Sequence, residues 1–161
     1  MLIILGALFV FVLDQLTKLA IQINFVPNQS IPIIPQIFHL TYVQNPGAAF
    51  GILAYKTNFF IIVTIIIIAV VVYCSIKFRH TANTMLRLGL AFQLGGALGN
   101  FVDRIRFGYV IDFFDFRVFP VFNIADIAIV IGVSLFAYYL LFVEGQCRRR
   151  GSDAEFSVSC L

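Results

Sequence analysis

Apolar positions dominate four long stretches of the chain, residues 2–23, 59–76, 85–101 and 124–143, each near the ~20 residues that a helix needs to cross a hydrocarbon core. The second is the plainest, with eighteen residues and no charge. It is rich in β-branched side chains, yet in lipid a segment of that length satisfies its own backbone only as a helix. The third contains Leu94-Gly95-Gly96-Ala97-Leu98-Gly99, where Gly95 and Gly99 have the spacing of close helix packing. The fourth opens after Pro120 and Asn123 and holds one acid, Asp126. Ahead of the second stretch, Pro27, Pro32 and Pro35 precede Ile37-Phe38-His39-Leu40-Thr41-Tyr42-Val43, where apolar and polar residues roughly alternate as in a half-buried strand. The pattern predicts an all-α membrane protein of four transmembrane helices, with a small sheet in the first loop, about residues 24–57, resting on the membrane surface.

Composition sharpens this reading. Of 161 residues, 61% are hydrophobic and 12% charged, with a mean hydropathy of +0.98, whereas a soluble domain has about 25% charged residues. An ordinary water-soluble fold is excluded. Residues 1–150 are read as one transmembrane domain that includes the outer sheet, and residues 151–161 as a polar cytoplasmic tail, expected to be disordered. The first stretch lacks a preceding basic residue and a small-residue cleavage site before Asp14-Gln15-Leu16-Thr17-Lys18, so it is read as a retained helix rather than a leader. Cys74, Cys147 and Cys160 show no CxxC or metal-type spacing, and neither a disulfide framework nor a zinc site is implied.

Charge orients the spans. Lys77 and Arg79 lie between the second and third and Arg87 at the start of the third, with no acid among them, and Arg148, Arg149 and Arg150 follow the fourth. Those segments are cytoplasmic by the positive-inside rule. The first loop carries only Lys56, and the last balances Arg104, Arg106 and Arg117 against Asp103, Asp112 and Asp115. Both long loops are therefore expected outside and both termini inside.

The acids then fall together. Asp14 is about twelve residues into the first helix, or ~18 Å from its inner end. Asn100 and Asp103 close the third helix on its outer side, Asp126 opens the fourth, and Asp112 lies in the loop between them. Ionisable groups beside a bilayer are costly and usually mark a function. Two carboxyls held a few Å apart cannot both ionise easily, so one keeps a proton while the other deprotonates a water, which is the machinery of an aspartic peptidase.

Each residue also has a plainer reading. Asp126 lies three after Asn123, the spacing of a capping pair. Asp103 with Arg104 fits an interfacial salt bridge, and Asp14 with Lys18 a pair one turn apart. Asp112, in Val110-Ile111-Asp112-Phe113-Phe114, has no obvious local partner and is the hardest to dismiss. Asp115 reads as an exposed loop acid beside Arg117. His39 reads as a surface or structural histidine, and no Ser/His or Cys/His constellation can be assembled on the outer face. No cofactor, no metal-binding histidine cluster and no basic patch for nucleic acid are expected.

Taken in order, Asp14-Gln15-Leu16-Thr17-Lys18, Asn45-Pro46-Gly47-Ala48-Ala49-Phe50, Gly95-Gly96-Ala97-Leu98-Gly99-Asn100-Phe101-Val102-Asp103-Arg104, Val110-Ile111-Asp112-Phe113 and Phe122-Asn123-Ile124-Ala125-Asp126 closely resemble the bacterial lipoprotein signal peptidase, or signal peptidase II, family. The resemblance runs from about Asp14 to the end of the fourth helix. It implies four helices with a small extracytoplasmic β-cradle, and an aspartic endopeptidase of the bacterial inner membrane with its active site at the outer face. Its substrate would be a diacylglyceryl-modified prolipoprotein, cut just before the lipidated cysteine. The implied dyad is Asp112 and Asp126, with Asn45, Asn100, Arg104 and Asn123 holding substrate or shaping the site and Asp14, Lys18 and Asp103 supporting it. Contact with membrane lipid and sensitivity to globomycin-type cyclic peptides are implied as well. Thirteen residues separate Asp112 from Asp126, a compact connection. The alternative from another class is a small ion- or proton-translocating protein, which would place its acids near the midplane.

Overall fold

The computed structural model describes residues 1–47, 56–78 and 83–144. Ala48–Phe50 of the second motif, Arg79, His80, and residues 145–161 with Arg148, Arg149, Arg150, Cys147, Cys160 and the tail lie outside the described residues.

Helix α1 spans Leu2–Asn24, α2 Thr57–Lys77, α3 Thr84–Phe107 and α4 Ile124–Tyr138, continued by a π-helical turn at Tyr139–Glu144. Leu2–Asn24, Thr57–Lys77 and Ile124–Val143 are long and apolar enough to cross a membrane. In α2 only Thr64 and Val71 are buried, and Ile62, Ile65, Ile66 and Val70 are exposed. A helix apolar all round and covered on so little of its surface belongs in lipid.

Helix α3 is the centre of the bundle, packing on α1, α4 and α2. Its buried face is built largely from small residues, including Gly89, Gly95, Gly96, Ala97 and Gly99. A methyl group on Gly95 would come within 2.5 Å of the Ala7 carbonyl oxygen of α1, and one on Gly96 would run into the Ala125 carbonyl of α4. The expected close packing through Gly95 and Gly99 is therefore present, because bare backbone lets three helices meet. Asn83 caps the start of α3 by accepting from Leu86 N at 2.9 Å. Gly108 ends it in the left-handed conformation at φ +81°, which glycine adopts at little cost. The helix thus runs six residues past position 101, carrying Asp103 and Arg104 within its last turns.

The sheet differs from expectation in its makeup. Strands β1 (Ser30–Ile34) and β2 (Phe38–Asn45) form an antiparallel hairpin in the first loop, where a small sheet is expected, but β3 (Val110–Asp115), from the connection between α3 and α4, joins as a third antiparallel strand in the order β1-β2-β3. Val43 pairs with Asp112 and Asn45 with Val110. Pro32 is tolerated because β1 is an edge strand. Ile21 of α1 packs with Tyr42, Ile111 and Phe113 beneath the sheet, while Val71, Leu86, Leu90 and Tyr139 form a second apolar cluster among the helices.

Thr57 at the start of α2 donates to the Gly108 carbonyl at the end of α3 at 2.8 Å. That bond holds the sheet end of α2 and α3 together, and α1 ends and α4 begins at the same end of the bundle.

Candidate active site

Where the helices meet the sheet, polar side chains converge that the sequence scatters over more than a hundred positions. Asp112 comes from β3 and is 2% exposed. Its Oδ1 accepts from Asn123 Nδ2 at 2.7 Å and its Oδ2 from Asn45 Nδ2 at 2.8 Å. Asp126, in the first turn of α4, accepts from Asn100 Nδ2 at 2.8 Å through Oδ1 and from the Asn123 backbone N–H at 3.2 Å through Oδ2. All four carboxylate oxygens are gripped by amide N–H groups that three asparagines supply.

Each of these asparagines is locked against flipping by a second bond. Asn45 Oδ1 accepts from Gly47 N at 3.0 Å and Asn123 Oδ1 from Asp126 N at 3.0 Å. Asn100 Oδ1 accepts from Lys18 Nζ at 2.9 Å and from Asn123 Nδ2 at 3.1 Å. An amide whose oxygen is committed to a donor must present its NH₂ the other way, here toward the carboxylates. The capping box between Asn123 and Asp126 is complete, so the plainer reading of Asp126 as a helix cap is true alongside its place in the cluster.

Lys18 holds the network from behind. It is 2% exposed, and its ammonium reaches Asp14 Oδ2 at 2.9 Å and Asp103 Oδ2 at 2.8 Å besides Asn100. Three protons meet three acceptors. Asp103 therefore pairs with Lys18 of α1, and the expected Asp103–Arg104 salt bridge is absent among the described residues: Asp103 points to the α1 side of α3, whereas Arg104 lines a cleft facing α2. Asp14 also accepts from Ala125 N at 3.0 Å, satisfying an N–H that the first turn of α4 would otherwise leave open in an apolar setting. Asp103 accepts from Ile111 N at 3.2 Å, tying α3 to the strand that carries Asp112.

The carboxyl of Asp112 is pushed up from 3.8 to about 7. Burial is the main cause and the nearby Asp126 charge the next. The bonds from Asn45 and Asn123 and the Lys18 charge act the other way. The pair thus keeps one proton near neutrality.

Asp126, Asn100 and Arg104 open onto a cleft of about 480 Å³ between α2, α3 and α4, whose deeper walls are apolar side chains such as Ile67, Val70 and Val133. Arg104 lies 5.1 Å over the Phe60 ring, and its one hydrogen bond among the described residues is a long one, 3.5 Å to the Asn100 carbonyl. Most of its donors remain available to a ligand. No group of three or more metal-binding side chains occurs among the described residues.

Asp115 departs from expectation. It is buried, accepting from Thr41 Oγ1 at 2.8 Å and pairing with Arg117 at 3.0 Å. Burial raises its carboxyl, but the bonds from Thr41 and Arg117 outweigh that and hold it below the usual value. A Ser/His contact does form on the sheet, Ser30 Oγ to His39 Nδ1 at 3.1 Å. Asp115 bonds Thr41 rather than His39, so no carboxylate orients that ring. Gln15 was not singled out from the sequence, yet its Nε2 reaches Asp103 Oδ1 at 3.1 Å and the Gly99 carbonyl at 3.3 Å. A polar residue beside Asp14 in an apolar run was the available signal.

Comparison with known proteins finds similarity over most of the chain. The family model described as signal peptidase (SPase) II matches residues 6–142. The lipoprotein signal peptidase of Moorella thermoacetica is 52% identical over 143 residues, covering 89% of this chain and 95% of that protein. That of Halothermothrix orenii is 50% identical over 83% of this chain and 90% of its own length. A bacterial membrane enzyme solved by the in meso method at 2.3 Å superposes with a TM-score of 0.79 at 38% identity, covering 98% of this chain and 94% of its own. A second, solved at 1.9 Å, gives 0.76 at 41% identity over 87% and 92%.

Proposed function

This chain belongs to the signal peptidase II family, and on that premise we propose that Asp112 and Asp126 are the catalytic dyad of a prolipoprotein-processing endopeptidase. The protein is a protease that removes signal peptides from prolipoproteins. The observation that carries the assignment of residues is the four-amide grip on the two carboxylates, one buried and one facing the cleft.

In this reading a water lies between the two aspartates. The ionised carboxylate takes its proton as the oxygen attacks the scissile carbonyl carbon, and the protonated carboxyl gives its proton to the carbonyl oxygen. The tetrahedral diol collapses as the C–N bond breaks and a proton passes to the leaving amine. With its proton held to about pH 7, Asp112 suits the acid and Asp126 the base. A coupled pair shares that proton rather than fixing it on one residue. Asn45, Asn100 and Asn123 orient the carboxylates, Lys18 with Asp14 and Asp103 holds the asparagines and the start of α4, and Arg104 binds a substrate carbonyl through its fork of donors.

The finer setting is proposed with it. Residues 1–150 form one unit in which α3 spans the bilayer with the three apolar helices, since its 24 residues reach about 36 Å and neighbours cover its glycine-rich face. The sheet is the outer cradle, both termini are cytoplasmic, and the dyad lies at the outer face of the inner membrane. The substrate carries a diacylglyceryl group and is cut before the lipidated cysteine, with its acyl chains in the apolar cleft. Globomycin-type cyclic peptides compete there. Incubating purified protein in detergent with a diacylglyceryl-modified prolipoprotein and weighing the products by mass spectrometry tests this. A mature fragment beginning at the lipidated cysteine is the expected product, and a cut elsewhere or none overturns the reading.

A further inference from the structure

We propose that Gln93 is a substrate-positioning residue whose side-chain carbonyl accepts a backbone N–H of the signal segment, about three residues before the bond that is cut. The inference rests on the peptidase reading above and extends it to the deep part of the cleft.

Gln93 lies on the face of α3 that lines the cleft, seven residues before Asn100, with Ala97 between them. Its Nε2 donates to the Gly132 carbonyl of α4 at 3.0 Å. A carbonyl only accepts, so this bond fixes which end of the amide is which. Oε1 is then the free end, and among the described residues nothing donates to it. The walls at that depth are Val70, Val71 and Val133. Gln93 is half-buried, so Oε1 is reachable from the cleft; an acceptor that meets lipid there in place of a donor costs free energy, and polar groups kept at such depth usually serve a ligand. A role as a clamp between α3 and α4 accounts for the Nε2 bond and leaves Oε1 unexplained.

The substrate supplies the missing donor. A signal segment crosses the bilayer as a helix, and a dyad that attacks a peptide carbonyl needs that bond in an opened stretch. Unwinding releases N–H groups that had donated to carbonyls four residues earlier, and in a cleft without water each must find a new acceptor. Seven residues of α3 place Gln93 about 10 Å deeper than Asn100, and an extended chain covers that distance in about three residues. Arg104 at the mouth offers donors and Gln93 at the floor offers an acceptor, so an opened segment meets both kinds of partner.

The test is an ester scan of a diacylglyceryl-modified prolipoprotein peptide. Each amide from two to five residues before the cleavage point is replaced singly by an ester, which removes the N–H and keeps the shape. Cleavage of the all-amide peptide by the wild-type protein establishes the peptidase reading independently, and its absence would defeat that reading rather than this one. With wild type, one ester, expected at the third position, lowers kcat/KM by about tenfold, the effect of one lost hydrogen bond. With Gln93→Met, similar in length and lacking the acceptor, the all-amide peptide is slower by a like factor and that ester brings no further loss. A clamp role alone would slow all peptides equally and leave the ester effect intact, which overturns the proposal. If Gln93→Met does not fold, the wild-type scan still decides: four esters without effect overturn it.

Discussion

Burial and the Asp126 carboxylate act on Asp112 in the same direction, and together they outweigh the two amide donors and the Lys18 charge, taking its carboxyl to about 7. Two consequences follow at this single residue. Above about pH 7 the pair loses its shared proton, so kcat/KM is expected to fall about tenfold per pH unit, read from a pH profile in detergent. Stability follows the same titration. Because the folded value lies above the unfolded 3.8, the native state binds the proton more tightly than the unfolded state does. The contribution is complete below the unfolded value and is lost as pH rises through 7. The unfolding temperature should therefore drop between about pH 4 and 7, and Asp112→Asn should flatten that slope. A slope unchanged in the variant would place the titration elsewhere.

Among the elements, Lys18 carries a disproportionate share, since one ammonium joins α1 to α3 through Asp103, to the Asn100 amide, and to Asp14, which in turn docks the start of α4. Lys18→Met strands two buried carboxylates, a change that typically costs about 3–5 kcal/mol. The variant should unfold well below wild type and cleave slowly even when folded, because only the longer bond from Asn123 is left to hold the Asn100 amide toward Asp126. A melting curve with an activity assay below the transition checks both.

The helices were legible in the sequence because hydropathy and length decide them, and α2 came out helical despite its β-branched residues. Strand β3 was not legible. Val110–Asp115 is almost wholly buried, so it lacks the alternation that marked β2, and its partner Asn45 lies 67 positions from Asp112. The wrong expectations for Asp115 and Asp103 share that origin, since local spacing proposed Arg117 alone and Arg104, while folding brought Thr41 and Lys18. Motif order identified the carboxylates and asparagines, but the second bonds that lock each amide exist only in three dimensions.

At the scale of the whole molecule, the ends of α1 and α3 and the starts of α2 and α4 share one face with the sheet. The charge pattern puts Lys77 and Arg87 on the other. In a variant with the three native cysteines replaced by serine, a single cysteine at Gln36 should react with a membrane-impermeant maleimide on intact cells, and one at Lys77 only after permeabilisation. The reverse pattern would invert the proposed orientation and leave the fold untouched.

Two aspartates acting as one unit are tested most directly by single-turnover cleavage of a diacylglyceryl-modified prolipoprotein, comparing wild type, Asp112→Asn, Asp126→Asn and the double variant at matched folding. Each single substitution should lower the rate by at least about 10²–10⁴-fold, and the double should be no worse than either alone, as expected for groups that work together. Substantial cleavage by either single variant, or losses that multiply in the double, would contradict the dyad.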